Sequence, residues 1–372
     1  MKIPLVVLTG IACLGAMVTD NTTHANDKLN KDFSQFVEIK TSANSNDWDK
    51  TAPWKLPEGY SQSIVSDESD LNIYNLGRDD RHDMNTVNET GDQAGRFLYR
   101  THETSFPGSL PEGGSVSVVD LTNGETKILI QGRSYNALDG IRWSPWGSLV
   151  FAEETTNGRF FELILTQDLK QAESVHDRPA VGRMTHEGIE IDAQGNVYVV
   201  DEYRGQTSAC KDAKGHTYKP CGGGIYKFVP DKYADLSSGS LYVLGIMNNG
   251  SPDNTGQGQW LGPIDPADAR QSGTAAGGAS YQRPEDLEII NGVLYVAITE
   301  GPRDEDNNEL YEGRVLSIDL ASMVVANFVM PGINAPVEIG KPGEEGHKTG
   351  FDGVDNLAEA PNGDLVMIED NK

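Results

Sequence analysis

From about residue 60 onward, the chain alternates apolar and polar residues in short runs separated by turns that contain glycine. Runs of four to eight residues with this period are typical of β-strands that bury one face. Residues 114–120 alternate strictly, and Asn123-Gly124 connects them to the apolar run 126–130, which predicts a hairpin. We find no segment with a period that predicts a helix. The pattern therefore predicts an all-β protein.

One longer pattern occurs four times and organises these strands. Each copy has an acidic residue, an apolar strand, a turn with glycine, and a second apolar strand that ends in carboxylates. The copies occupy residues 139–154, 186–202, 283–300 and 351–370, with third strands expected at 159–165, 224–229 and 313–318. Such repeats predict a β-propeller of five or six blades with loop insertions, closed with the help of N-terminal strands. A two-domain β-sandwich also explains the strands, but it does not explain the repeated acids.

The two ends of the chain differ from this repeated region. Residues 1–25 contain one lysine, an apolar run and a small-residue cleavage site, which predicts a secretory signal peptide. Lipidation at Cys13 is the less favoured alternative. Residues 26–57 are polar and lack a period, so we expect an N-terminal arm before a propeller at 58–372. Because the last copy ends after its second strand, we expect either that the N-terminus supplies a strand or that the chain is truncated.

Charge and cysteine content narrow the function. The formal net charge of -26 disfavours nucleic-acid binding, since lysine and arginine neutralise a phosphate backbone, and it suits a protein that gathers cations. No later stretch has eighteen apolar residues, so we expect a soluble mature protein. We also expect it to be a monomer that is exported to the periplasm or the medium. In an oxidising compartment Cys210 and Cys221 are expected to form a disulfide, and a zinc site with His216 is the alternative.

The repeated acids predict a metal centre. In a propeller the innermost strand of every blade lies along the central channel, so residues at the same point of each repeat converge. The candidates are Asp139, Glu187, Glu285 and Asp352 or Asp355 before the first strands, and Glu153, Glu154, Asp201, Glu202 and Glu300 after the second. Converging carboxylates need counter-charge, and calcium, with six to eight oxygen ligands, supplies it. Solvated strand ends are the alternative, and His186 is either a further ligand or a partner of a carboxylate.

Four short motifs lie inside these repeats. They are Pro145-Trp146-Gly147 followed by Glu153-Glu154, then His186-Glu187-Gly188, Arg283-Pro284-Glu285 and Gly353-Val354-Asp355-Asn356. With these motifs the chain resembles, over roughly residues 95–371, the PhoX-type alkaline phosphatases, exported bacterial β-propellers that hydrolyse phosphate esters. The resemblance implies a cluster of calcium and iron ions held by Glu154, Glu187, Glu285 and Asp355. It also implies that Arg283 contacts the phosphate of a small-molecule ester, which suits its planar fork.

One position separates this chain from the family pattern. The family's iron ligand is a cysteine six residues before Pro-Trp-Gly, and this chain has Asp139 there. Because a thiolate favours iron and a carboxylate favours harder ions, we expect Asp139 to be a ligand of a calcium centre without Fe³⁺. The family's twin-arginine signal, and a C-terminal region with a basic phosphate-binding residue, are not found in this sequence.

Three functional hypotheses follow from these features. The first is a metal-dependent phosphatase in which the ions activate a water and Arg283 stabilises charge on the phosphoryl group. The second is another hydrolase on a calcium propeller, such as a lactonase, an esterase or a phytase-like enzyme. The third is a non-catalytic binding propeller that calcium stabilises.

Overall fold

The computed structural model describes residues 6–8, 54–56, 60–66, 70–71, 81–104, 113–205, 210–211, 217–218, 222–247, 253–301, 313–337, 350–360 and 362–369. Nearly all regular structure in these ranges is β-strand. The strands are β1 (Val6–Leu8), β2 (Gln62–Ile64), β3 (His82–Val87), β4 (Phe97–His102), β5 (Ser115–Asp120), β6 (Glu125–Gln131), β7 (Leu138–Trp143), β8 (Leu149–Glu153), β9 (Phe160–Leu165), β10 (Ala172–Asp177), β11 (His186–Ile191), β12 (Val197–Asp201), β13 (Cys210–Lys211), β14 (Thr217–Tyr218), β15 (Ile225–Lys232), β16 (Asp235–Ile246), β17 (Gly256–Ile264), β18 (Pro284–Ile290), β19 (Val293–Ile298), β20 (Arg314–Asp319), β21 (Val324–Val329), β22 (Val354–Glu359) and β23 (Leu365–Glu369). The single α-helix in the described ranges is α1 (Ala269–Ala276).

The strands form five successive antiparallel blades, each of which begins with its innermost strand. Blade I contains β3 to β6 and blade II contains β7 to β10. Blade III is made of β11, β12, β15 and β16, blade IV of β18 to β21, and blade V of β22 and β23. The inner strands pack side by side in the order β3, β7, β11, β18 and β22. The predicted all-β propeller is confirmed, and the predicted third strands and the 114–130 hairpin are in place.

The hydrophobic core lies between successive blades. Phe97 of blade I packs in one cluster with Phe151 of blade II, and Phe160 of blade II packs in the next with Val199 of blade III. Two further clusters join blades III and IV and blades IV and V. Strands such as β8 and β12 are buried along their whole length, because each face is covered by a different neighbouring blade. Their sequences are accordingly apolar almost throughout.

The long insertion between blades III and IV contains more regular structure than its sequence predicts. We expect a Gly/Ala-rich loop at residues 251–280, but this segment contains β17 and α1. β17 pairs with β16 on one side and with β21 on the other, so it joins the outer strands of two blades. The helix is only eight residues long and its apolar residues are alanines, which explains why no helical period is visible.

The N-terminal strands form a sheet of their own. β1 pairs with β2, so the described N-terminal strands do not join blade V as the sequence suggests. β1 falls inside the predicted signal peptide, most of which lies outside the described residues, as does most of the predicted arm. The predicted disulfide also lies outside them, because Cys221 is not described. The described residues contain no helix that is long and apolar enough to cross a membrane.

Candidate metal centre

Every inner strand places an acidic residue at the same irregularity of its sheet. In each blade the pairing of the first two strands shifts register, for example between His186 and Ile189 in blade III. Such a bulge re-aims the side chain that it contains. We call the residues at these five bulges the inner ring: Asp83, Asp139, Glu187, Glu285 and Asp355. The inner ring thus follows from a backbone feature that all five blades share.

Three members of the inner ring lie close enough together to bind one ion. Glu187, Glu285 and Asp355 each offer a carboxylate oxygen, and these oxygens lie within 4.8 Å of one another. Glu187 and Glu285 are buried, and Asp355 is half-buried. The register also decides between the two candidates in the last repeat, because Asp355 and not Asp352 lies at the bulge.

The residue after each acid sets the spacing of neighbouring inner strands. A Cβ atom on Gly140 would lie 1.9 Å from the backbone oxygen of Glu187, and one on Gly188 would lie 2.5 Å from the Cα of Asp286. In blade IV this position is Asp286 itself, whose Oδ2 accepts a 2.9 Å hydrogen bond from the backbone N–H of Leu357 in β22. These close approaches bring the acids of successive blades together.

Gly140→Ala is therefore expected to push blades II and III apart at the inner ring. The overpacked methyl group should lower the free energy of unfolding by about 3 kcal/mol, as measured by urea denaturation. Gly132→Ala is the matched control, because a Cβ atom there meets its nearest neighbours at an ordinary 3.7 Å. Equal losses of stability in the two variants would contradict the role of Gly140.

A second set of acids follows the second strand in each of blades I to IV, and we call it the outer ring: Glu103, Glu154, Glu202 and Glu300. Successive residues at a strand end point in opposite directions. The residue before each of these acids accordingly has a different environment. Glu153 bonds to Arg159 at 2.6 and 2.9 Å, and Asp201 binds both Nε and Nη2 of Arg270 at 2.6 Å. Glu153 and Asp201 are therefore structural anchors.

Burial and mutual repulsion raise the pKa values of several acids in the two rings. Burial is the first cause for Asp139, Glu187 and Glu285, whose pKa values lie well above the usual range, and neighbouring carboxylates raise them further. Burial, a hydrogen bond with Glu202 and the charge of Glu202 raise the pKa of Glu154 to about 10. Asp139 Oδ1 and Glu187 Oε2 are buried without a hydrogen-bond partner in the described part of the chain. Such unsatisfied oxygens are costly unless a cation binds them.

Another set of channel residues, three positions further along the inner strands, includes a cation of the protein's own. Arg142 of blade II lies 2.7 Å from Glu190 of blade III and 3.2 Å from Glu288 of blade IV. One guanidinium thus pairs with both acids at this level of the channel. The contrast supports an external cation at the inner ring, where no arginine or lysine of the described ranges forms an ion pair with Asp139 or Glu187.

Arg283 lies at the junction of the two rings. Its Nε is 2.5 Å from Glu202 and its Nη2 is 2.8 Å from Glu285. Burial lowers the pKa of Arg283, but these carboxylates outweigh burial and raise it above its usual value. The residue has a φ of +48°, a conformation that non-glycine residues rarely adopt. The two ion pairs fix the guanidinium beside the clustered acids.

Comparisons with known proteins identify the family of this fold. A family model described as alkaline phosphatase PhoX matches residues 168–372, which is more than half of the chain. The chain belongs to this family. PhoX of Pseudomonas fluorescens in complex with vanadate, a transition-state analogue, is 18% identical, with a TM-score of 0.51 over 79% of this chain and 74% of that chain. This likeness shows a shared fold.

Two further solved structures match with lower TM-scores. The holo form of the pyranose dehydrogenase PQQ domain from Coprinopsis cinerea is 12% identical over 83% of this chain and 82% of that chain, with a TM-score of 0.42. A putative 6-phosphogluconolactonase from Bacteroides fragilis is also 12% identical, with a TM-score of 0.39 over 83% of this chain and 80% of that chain. A search of the curated proteins finds no match.

The structure brings the predicted PhoX ligands into one region. Glu187, Glu285 and Asp355 form the tight group, and the charges of both Glu154 and Asp355 act on Asp139. The PhoX match begins after Asp139 and Glu154, so the roles of these two residues rest on their position in the rings. His186 is buried, with its Nε2 3.2 Å from the backbone oxygen of Gly182 and its ring against Phe160.

Three residues of this chain escaped the sequence reasoning, namely Asp83, Arg142 and the outer-ring acid Glu103. Asp83 is the inner-ring acid of blade I. Its motif is hard to recognise, because the residue two positions later is Asn85, whereas the next three blades have isoleucine or leucine at that point. Arg142 pairs with acids that are 48 and 146 residues away in sequence. A register count from the predicted second strand would have identified Asp83, whereas no local signal identifies the partners of Arg142.

Proposed function

We propose that this chain is a metal-dependent phosphatase that hydrolyses small-molecule phosphate esters at the acid rings. The observation on which the proposal depends is the convergence of Glu187, Glu285 and Asp355 within 4.8 Å in a chain of the PhoX family. Asp139 and Glu154 complete the proposed ligand set. Arg283 is the proposed contact to the substrate phosphate.

The donors present fit calcium. All five proposed ligands offer carboxylate oxygens, which hard cations prefer, and calcium accepts six to eight of them in flexible geometry. The unsatisfied oxygens of Asp139 and Glu187 support further contacts to an ion beyond the tight group. At position 139 a carboxylate replaces the thiolate that would favour iron, so we propose a calcium-rich centre.

The residues of the chain have separate tasks in this proposal. The carboxylates of Asp139, Glu154, Glu187, Glu285 and Asp355 would hold the calcium ions, which would supply Lewis acidity toward the phosphoryl oxygen and acidify a water. Arg283 binds the phosphate with a planar fork that Glu202 and Glu285 hold in place before the substrate arrives. Its unusual backbone conformation is of the kind that clusters at functional sites. Glu285 is thus both an anchor of Arg283 and a proposed ligand.

The remaining proposals concern the setting of the enzyme. The apolar N-terminal run supports export through a signal peptide, and the high negative charge suits an environment rich in divalent cations. We propose that the protein acts as a monomer, with an N-terminal arm at residues 26–57 before the propeller.

A panel of chromogenic esters tests the proposed reaction. We expect hydrolysis of p-nitrophenyl phosphate with calcium present. Chelation should lower the rate at least about 10³-fold, and adding calcium back should restore it. Bis-p-nitrophenyl phosphate and p-nitrophenyl acetate distinguish a diesterase and a carboxylesterase from a phosphomonoesterase. A protein that binds calcium but hydrolyses none of the three esters would overturn the enzymatic proposal.

A further inference from the structure

Two arginines cross the junction between blades III and IV in opposite directions. Arg283 of blade IV reaches Glu202 of blade III, with 2.5 Å between Nε and Oε1. Arg204 of blade III reaches Glu300 of blade IV, also with 2.5 Å between Nε and Oε1. Blades III and IV thus each contribute one outer-ring acid and one arginine, and each arginine pairs with the acid of the other blade. The arrangement places two guanidinium groups at one junction of the outer ring.

Backbone hydrogen bonds show that both arginines lie beside Glu300. The N–H of Glu300 donates to the backbone oxygen of Gln282 at 3.3 Å, and the N–H of Thr299 donates to that of Arg283 at 3.0 Å. Glu300 is therefore next to Arg283 in the sheet while its side chain pairs with Arg204. The charge of Glu300 also raises the pKa of Arg283. A carboxylate flanked by two arginines marks a place that suits an anion.

The two members of the Arg204 pair differ in their access to solvent. The side chain of Arg204 is 60% exposed, whereas that of Glu300 is 15% exposed. An ion pair with so exposed a member contributes little to stability, about 0–1 kcal/mol. Arg204 can consequently exchange Glu300 for another anion at small cost. Arg283, which is 24% exposed and bound to two carboxylates, is the more rigid of the two.

The segment before Arg204 is braced from the other side. The guanidinium of Arg270, in α1, lies 3.8 Å from the ring centroid of Tyr203 and binds Asp201 through two hydrogen bonds. Arg204 therefore extends from a fixed strand end, although its own side chain is exposed. This brace belongs to the insertion between blades III and IV.

We propose that Arg204 is a second substrate-contacting residue, which binds the phosphate together with Arg283 and makes the site selective for dianionic phosphate groups. The inference rests on the proposed phosphatase function and names its substrate class. A phosphomonoester carries two negative charges near pH 8, and a diester carries one. A dianionic phosphate gains charge-assisted hydrogen bonds from both guanidinium groups, whereas a diester, with one negative charge, gains less from the second.

Steady-state kinetics on the calcium-loaded protein test this role. We expect Arg204→Ala to raise the KM for p-nitrophenyl phosphate, and the inhibition constant of inorganic phosphate, about ten-fold while kcat changes less than about two-fold. The KM for bis-p-nitrophenyl phosphate should rise less than about three-fold, and Arg204→Lys should recover part of the loss. Lys127→Ala is the control for charge, since it removes an exposed cation paired with Glu125 on the outer strand of blade I.

The outcomes separate this inference from the function on which it rests. Unchanged KM and inhibition constants in Arg204→Ala, or equal losses for monoester and diester, would overturn the role of Arg204 in an active phosphatase. If the wild-type protein hydrolyses no phosphate ester, the proposed function fails instead. Calorimetric binding of inorganic phosphate then tests Arg204 directly, and equal affinities of wild type and Arg204→Ala would refute it.

Discussion

Glu187→Gln is expected to lower kcat/KM for p-nitrophenyl phosphate by at least about 10³ while the metal-free protein becomes more stable. Glu187 is buried, Asp139 and Glu285 raise its pKa, and its Oε2 has no hydrogen-bond partner among the described residues. Losing this carboxylate removes a central proposed ligand, and it also removes a buried charge that is repelled when no cation is bound. Removing that repulsion should raise the free energy of unfolding of the chelated protein by about 1 kcal/mol.

The opposite signs of the two effects distinguish a ligand from a structural residue. Activity is measured with calcium, and urea unfolding with and without it. Glu190→Gln is the matched control, because Glu190 lies on the same strand but pairs with Arg142. That variant should retain activity, since Glu190 is not a proposed ligand and Arg142 keeps Glu288 as a partner. A Glu187→Gln protein with wild-type activity and calcium affinity would exclude Glu187 from the metal centre.

Chelation is expected to destabilise the protein more strongly as the pH rises. Burial and neighbouring carboxylates raise the folded pKa values of Asp139, Glu187 and Glu285 above those of the unfolded chain. At these three sites the folded metal-free protein therefore binds more protons, and their contribution to stability is fully present only below the unfolded values, near pH 4. This contribution is lost as the pH rises through the elevated folded values, so the Tm of the chelated protein should fall between pH 5 and pH 9.

Calcium should reverse this trend, because it binds the deprotonated carboxylates and competes with protons. At a free concentration of about 1,000 times Kd, an ion that binds only the folded state adds about 4 kcal/mol. Thermal melts at pH 5, 7 and 9, with calcium or chelator, should therefore show a calcium-dependent gain in Tm that grows with pH.

Glu187→Gln is the control that separates the rings from the overall charge of -26. It should weaken the pH dependence of the Tm of the chelated protein, because one of the carboxyl groups with a raised pKa is gone. An identical fall of Tm with pH in wild type and Glu187→Gln would assign the trend to general charge repulsion and not to the rings.

Much of the propeller could be predicted because its signals are local. A strand has a side-chain period of two, and a buried strand such as β12 is apolar throughout, so both are visible in a few residues. The turn at Asn123-Gly124 and the repeated acids at Asp139 and Glu187 are equally local. The order of the blades follows from the order of the repeats.

The insertions and the N-terminus were harder to predict. β17 pairs with β21, about 67 residues later, and its Gly- and Gln-rich sequence has little apolar alternation. Its place in the sheet depends on the outer edges of two blades that only the tertiary structure brings together. The short helix α1 is likewise held by its surroundings, because Arg270 anchors it to Asp201 and Tyr203.

The sequence by itself determined the strands, the repeats and the presence of an acid in each repeat, because a period and a motif are properties of neighbouring residues. Only the tertiary structure decided which acids meet. The shared bulge directs Glu187, Glu285 and Asp355 to one point, and Gly140 lets the backbone of the next blade approach. Packing between blades also gives Arg142 its two acids and places Arg204 beside Glu300, since these contacts join residues that no local pattern relates.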